Sequence, residues 1–140
     1  MTALTGTADS LPLSIYSDCI GSKGENEMIK VLALLTRKEG ITHEEFVRHW
    51  FDIHGPLAHA VPGIRRYVQS HITGTRTRPD IPETDVEADG IAELWYDNLE
   101  SFQRAAATPE MKALTDDGAL FIGRIKTYVI EERQIIPPPG

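Results

Sequence analysis

The apolar residues near the start of the chain form a pattern typical of a buried strand. Ile29, Val31, Ala33 and Leu35 alternate along residues 28–36, and Met28, Leu32 and Leu34 fill most of the positions between them. Alternation places successive side chains on opposite faces, so both faces of this strand are apolar. A strand of this kind needs a cover on each face, and helices of the same chain supply only one. The other face is expected to meet a second sheet.

A helix is predicted next, because Thr42 with Glu45 three residues later makes a capping box. Apolar residues at helical spacing then continue to about His54, where Gly55-Pro56 predicts the end of the helix. His54 would therefore lie in the last turn, where the helix dipole favours a protonated imidazole.

Two further strands follow, separated by a long polar segment. Residues 64–72 alternate, which predicts one face with Ile64, Arg66, Val68, Ser70 and Ile72 and another with Arg65, Tyr67, Gln69 and His71. Residues 74–89 are polar and contain two prolines, which favours a mobile flap or lid. Residues 90–96 are the third strand, with Ile91, Glu93 and Trp95 on one face.

The last part of the chain repeats the helix-then-strand pattern. Asp97 or Asn98 is expected to cap a helix through residue 107, and Thr108-Pro109 to start a helical turn that reaches about Leu114. Residues 118–123 are predicted as a connector and residues 124–131 as the last strand. The order β-α-β-β-α-β predicts a ferredoxin-like α+β fold with an antiparallel sheet and helices on one face. Two copies that stack their uncovered sheets would form a dimeric α/β barrel.

The termini differ from this domain in composition. Residues 1–27 are rich in small polar residues and are expected to form an arm outside the compact domain, either flexible or lying on a neighbouring surface. Residues 28–132 form the domain, and residues 133–140 are a proline-rich tail expected to extend as polyproline II.

Composition excludes several classes of partner. The chain has 140 residues, of which 41% are hydrophobic, and a net charge of −7, which disfavours nucleic acid and anionic membranes. No apolar run is long enough to span a bilayer, and no Cys/His cluster has zinc-ligand spacing. Cys19 is the single cysteine, so a reducing, cytoplasmic setting is expected.

Several segments together resemble the EthD family of dimeric α/β-barrel proteins. The resemblance covers residues 28–132 and is carried by Met28-Ile29-Lys30-Val31, Thr42-His43-Glu44-Glu45-Phe46, the stretch from Trp50 to Leu57 with its His-Gly-Pro, Pro62-Gly63-Ile64 with Tyr67 and His71, residues 89–96, and Phe121-Ile122-Gly123.

The resemblance implies a small enzyme of ether, aromatic or polyketide metabolism that uses no cofactor. Relatives include cofactor-free lyases, dehydratases, decarboxylases and lactone isomerases, so a lyase or isomerase acting on a cyclic carbonyl compound by histidine acid–base chemistry is expected. The expected partners are a small-molecule substrate and a second copy of the chain. Two alternatives stay open: a non-catalytic ligand-binding accessory protein of an oxidation pathway, and a haem-binding protein or cofactor-free monooxygenase.

The candidate site lies between the sheet and its helices. A carboxylate beside a histidine fixes the histidine's tautomer and raises its basicity, so we expect His71 and Glu93 to pair, with His54 opposite as the acid. Tyr67, Gln69, Trp95 and Trp50 are the expected substrate-binding residues. This arrangement assumes that Glu93 and Trp95 share a face with Tyr67, Gln69 and His71. Each residue also has a purely structural interpretation: His54 as a cap, His71 as a half-buried histidine, Glu93 as the partner of Arg65 or Arg66, and the aromatic residues as packing. His43, His49 and His59 are assigned no role.

Overall fold

The computed structural model of the protein describes residues 27–139, which fold as one four-stranded antiparallel sheet with helices on one face. The strands are β1 (Ile29–Arg37), β2 (Ile64–His71), β3 (Gly90–Tyr96) and β4 (Ile122–Ile130), in the order β2-β3-β1-β4. The helices are α1 (His43–Arg48), α2 (Leu99–Ala106) and α3 (Pro109–Phe121). The predicted α+β, ferredoxin-like order is confirmed. The arm predicted for residues 1–27 lies, except for its last residue, outside the described range.

The register of the sheet decides which side chains face the helices. Tyr67 is paired with Leu94 and Gln69 with Ala92, so these residues point toward the helices. Glu93 is paired with Val68 on β2 and with Leu32 on β1, and therefore points toward the uncovered face. The register shifts between Ile64 and Arg66, which turns Ile64 toward the core, contrary to the predicted alternation.

The first helix does not end at Gly55-Pro56 as predicted. Its capping box between Thr42 and Glu45 is present, but α1 continues as a π-helical segment, His49–His54, and then as a short helix, Gly55–Leu57. A proline ring collides with the carbonyl four residues earlier in a regular α-helix, and the wider π turn relieves that crowding. The π segment directs both Trp50 and His54 into the protein, where both are buried.

The two helices in the second half of the chain begin where the sequence predicts, but α3 ends later than predicted. The side chains of Asn98 and Thr108 each accept a hydrogen bond from a backbone N–H of the helix that follows. However, α3 runs to Phe121, so the connector predicted at residues 118–123 is wrong. Gly118 is instead a helical residue beside His54: a Cβ there would lie 3.5 Å from the imidazole Cε1. A glycine at this position lets α3 pack close to the π segment.

The core between the sheet and the helices is divided into two clusters of buried side chains. One surrounds Tyr96 and Met111, and the other surrounds Phe46 and Trp50. Tyr67 and Leu94 pack against both clusters, and both are only half-buried. Leu94 lies on the inner strand β3 and faces the helices. Because it is partly exposed, solvent reaches the boundary between the two clusters.

The remaining segments are irregular. Residues 72–89 carry neither helix nor strand apart from an isolated bridge between Arg78 and Ile81. Residues 131–139 also form neither, and Ile135 and Ile136 are almost fully exposed to solvent. Within the part of the chain that is described, no helix is both long and apolar enough to cross a bilayer.

Candidate active site

A chain of hydrogen bonds runs along the helix-facing side of β2 and ends on the π segment. The Trp50 indole donates from Nε1 to the Tyr67 hydroxyl oxygen at 3.0 Å. The Gln69 amide nitrogen donates to the Trp50 carbonyl oxygen at 2.8 Å and to the Tyr67 hydroxyl oxygen at 3.2 Å. The hydroxyl oxygen therefore accepts two hydrogen bonds, and its own proton remains available to a ligand. Burial raises the pKa of the Tyr67 phenol, so that proton stays in place.

The same chain fixes the protonation of His71. A backbone carbonyl can only accept, so the amide nitrogen of Gln69 must face Trp50 and its oxygen must face His71. His71 Nε2 lies 2.8 Å from that oxygen and is therefore the protonated nitrogen of the ring. Burial, followed by the nearby His43, lowers the pKa of His71, which favours the neutral ring with a free lone pair on Nδ1. The ring also stacks on Trp50, with centroids 4.8 Å apart.

An open groove of about 700 Å³ runs past this chain. Its apolar wall includes Phe51, which is 64% exposed and meets the edge of the His71 ring. The groove is lined by Phe51, Asp52, Gly55, Pro56, His59, Tyr67, Gln69 and His71. Three of the predicted site residues, Tyr67, Gln69 and His71, therefore share one groove, and Trp50 supports them from behind. His54 is not among the residues that line it.

His54 belongs to a second polar cluster, between the π segment and α3. Its Nδ1 lies 2.9 Å from one carboxylate oxygen of Asp117, and His49 Nε2 lies 3.1 Å from both oxygens of the same group. His54 is 8% exposed, and burial lowers its pKa more than the hydrogen bond and charge of Asp117 raise it. The expectation that a helix dipole favours the protonated ring is wrong here, since the helix continues past His54 and burial dominates.

The predicted pair between His71 and Glu93 does not form. Glu93 and Trp95 lie on the uncovered face of the sheet, opposite to His71, because the register pairs Glu93 with Val68 and Trp95 with Arg66. Glu93 instead makes a 2.7 Å ion pair with Lys30, and the Lys30 ammonium and the Arg66 guanidinium both lie over the Trp95 ring. The interpretation of Glu93 as a partner of Arg65 or Arg66 is also wrong; Arg65 pairs with Asp97.

Two histidines that the sequence left without a role have carboxylate partners. His43 Nδ1 lies 2.8 Å from the buried Asp89, which also accepts hydrogen bonds from the backbone and side chain of Arg37. Burial alone would raise the pKa of Asp89, but these bonds outweigh it and the pKa is lowered. Asp89 thus joins the end of β1, the start of α1 and the start of β3. His49 was missed because its partner, Asp117, is distant in sequence and was predicted only to precede a connector.

The sequence matches the model of a known family. The EthD domain model matches residues 38–125, and the chain belongs to the EthD family. It is 32% identical over 106 residues to 4-carboxymethyl-4-methylbutenolide mutase of Pseudomonas reinekei, covering 75% of this chain and 98% of the mutase.

Solved structures agree with this assignment. An EthD family protein of Bacillus halodurans superposes with a TM-score of 0.61 at 30% identity, covering 76% of this chain and 99% of that one. A dimeric ferredoxin-like protein of Thermobifida fusca has a TM-score of 0.59 at 14% identity, covering 79% and 95%. The latter likeness concerns the fold alone.

Proposed function

We propose that this protein is an enzyme that isomerises a small unsaturated lactone or a related cyclic carbonyl compound by proton transfer, without a cofactor. The observation that carries the proposal is the pairing of an available donor and an available acceptor in one groove. Tyr67 has a proton that no described residue accepts, and His71 has a lone pair that no described residue uses. The 32% identity to an enzyme named as a butenolide mutase supports a lactone as the substrate class.

Tyr67 and His71 contact the same amide group. Gln69 lies 3.2 Å from the Tyr67 hydroxyl oxygen and 2.8 Å from His71 Nε2, and both side chains line the groove. Compact ligands are usually held in clefts of about 300–1,000 Å³ with few polar groups, and the groove falls in this range. Phe51 provides an apolar surface for the face of a ring, and the Trp50 stack limits rotation of the His71 imidazole.

The proposed reaction moves one proton. The Tyr67 hydroxyl donates a hydrogen bond to the carbonyl oxygen of the substrate, and His71 Nδ1 removes a proton from the adjacent carbon. The electron pair of the broken C–H bond passes to the carbonyl oxygen, where the Tyr67 hydrogen bond stabilises the enolate. The imidazolium then returns the proton to a different carbon of the conjugated system. The product is an isomer of the substrate, and His71 is again neutral.

The test is turnover of a panel of butenolides, muconolactones and cyclic hydroxy-ketones by the purified protein. Tyr67→Phe removes only the hydroxyl group and should lower kcat about 100-fold, the usual effect of losing one donor to a developing oxyanion. Tyr128→Phe is the matched control, because Tyr128 lies on the uncovered face of the sheet, opposite Leu32 on β1. Equal activity of the two variants would exclude the proposed role of Tyr67.

The same panel separates an enzyme from a binding protein. If no compound is turned over but lactones raise the melting temperature, the proposal is wrong and the alternative of a non-catalytic ligand-binding protein is supported.

A further inference from the structure

A second open pocket, which we call the side pocket, adjoins the groove. It has a volume of about 670 Å³ and shares three lining residues with the groove, Phe51, Asp52 and His71. Its other lining residues are His43, Glu44, Val47, Arg48 and Thr73. The proposed reaction uses groups of the groove alone, so the side pocket is neighbouring space to which that reaction gives no role.

His71 lies where the groove and the side pocket meet. Its Nε2 is bound to the Gln69 amide, which lines only the groove, whereas the imidazole ring lines both spaces. Phe51 also lines both, and its ring meets the edge of the His71 ring with centroids 6.2 Å apart. A substrate ring bound between Tyr67 and His71 is therefore next to the side pocket.

The walls of the side pocket are mainly apolar. Val47, at the end of α1, and Phe51, on the π segment, contribute hydrocarbon surface four residues apart. Because Phe51 is 64% exposed, a ligand that covers it removes apolar surface from water. His43 adds a ring whose position is fixed by the 2.8 Å contact between its Nδ1 and the Asp89 carboxylate.

The charged residues of the side pocket do not favour an anionic ligand. Glu44, Arg48 and Asp52 contribute two carboxylates against one guanidinium. An anionic group would therefore meet more negative than positive charge in this pocket. All three side chains are exposed, so they can stay hydrated while an uncharged group lies on the apolar walls.

We propose that the side pocket binds an uncharged alkyl or aryl substituent on the ring of the substrate, with Phe51 and Val47 as the residues that set this preference. The inference rests on the proposed function and narrows its substrate class to lactones that carry an apolar side chain. The ring lies in the groove against Tyr67 and His71, and the substituent extends past Phe51 into the side pocket. Each methylene buried there strengthens binding by the hydrophobic effect.

Binding of saturated γ-lactones tests the side pocket without any turnover. The probes are γ-butyrolactone, which has no substituent, and its γ-alkyl derivatives with chains of one to five carbons. Chemical-shift titrations of the ¹⁵N-labelled protein should give an affinity that rises about 4-fold with each methylene, as expected for burial of that group. An affinity that does not rise with chain length would overturn the proposal.

The charge of the substituent is tested with a matched pair of probes. The γ-isobutyl and γ-carboxymethyl lactones have substituents of similar size, and only the second is anionic at neutral pH. The γ-isobutyl lactone should bind more tightly. Equal or tighter binding of the acid would overturn the assignment of an apolar, uncharged substituent.

Thr73→Trp tests where the substituent lies. Thr73 is an exposed residue that lines the side pocket but not the groove, so an indole there takes up the space that the substituent needs. The variant should bind γ-butyrolactone as the wild type does, but the gain with chain length should be lost. The matched control is Thr75→Trp, at an exposed residue that lines neither space. A gain that persists in Thr73→Trp, or is lost equally in both variants, would overturn the proposal.

The outcomes separate this inference from the function on which it rests. Turnover of unsaturated lactones without any effect of chain length would support the proposed function and overturn the role of the side pocket. A gain with chain length that Thr73→Trp abolishes, without turnover of any lactone, would support the side pocket and contradict the proposed function. Absence of binding by every lactone would overturn both.

Discussion

The indole ring of Trp50 lies directly against the bare Cα of Gly90, so close that a Cβ on this glycine would overlap the ring. This contact brings the π segment down onto β3. It allows the same indole to stack on His71 and to donate its N–H to Tyr67. The glycine is needed at this position because any side chain would displace the tryptophan from both partners.

Gly90→Ala should therefore damage the site and the fold together. A methyl group forced into this packed contact should lower the free energy of unfolding by about 1–3 kcal/mol, and it should move the indole away from His71. Chemical denaturation measures the first effect and the near-ultraviolet circular dichroism of the tryptophans reports the second. Gly74→Ala is the control, because a Cβ there meets nothing within 4 Å. Equal stability of the two variants would show that Trp50 does not pack against Gly90.

The pH dependence of turnover should report on His71. Its pKa lies below the 6.5 of an ordinary histidine, chiefly because of burial, so the neutral base persists into weakly acidic solution. We expect the acid limb of kcat/KM to fall below pH 6.5, and His71→Asn to lower kcat/KM by about 100-fold to 10,000-fold. An acid limb centred above pH 7 would contradict a base with a lowered pKa.

The stability of the protein should decrease in weak acid because of His54. Its folded-state pKa lies below 6.5, so below that pH the unfolded chain binds more protons than the folded chain does. The stabilisation is present above pH 6.5 and is lost as the pH falls through the folded-state pKa, by at most about 1.4 kcal/mol per pH unit for one histidine. Melting temperatures between pH 8 and pH 5 should show a shallower dependence in His54→Asn than in the wild type. The exposed His59 supplies the control, His59→Asn, whose profile should follow the wild type.

The uncovered face of the sheet should bind a second copy of the chain. This face carries the half-buried Leu32, Leu34 and Ile91. A strand with apolar residues on both faces is stable when both are covered. We therefore expect a homodimer by size-exclusion chromatography with light scattering, and a monomer for Leu32→Glu.

Leu120→Glu is the corresponding control, because Leu120 is an exposed leucine on α3 and away from the sheet. The expectation fails if the wild-type protein is a monomer at low micromolar concentration, or if the two glutamate variants behave alike.

Much of the fold follows from local patterns in the sequence. Alternating apolar residues define β1 and β3, the capping box at Thr42 starts α1, and Asn98 and Thr108 start α2 and α3. These signals act over a few residues through backbone geometry and hydrogen bonds to the nearest N–H groups, so they are visible in the chain itself. The His-Gly-Pro segment lies in a helix, as predicted, although it does not end that helix. Tyr67, Gln69 and His71 line one groove, as their alternation along β2 predicted.

The partners of the site residues were decided only by the tertiary structure. The pairing of Glu93 with Val68 puts Glu93 on the opposite face from His71, and a register is set by contacts between strands rather than within one. The π turn redirects His54 toward α3, where Asp117 meets it across 63 residues of chain. The sequence by itself thus determined which elements form and which faces are apolar. Packing between distant segments determined which carboxylate each histidine meets, because such contacts depend on the positions of whole elements and leave no local signal.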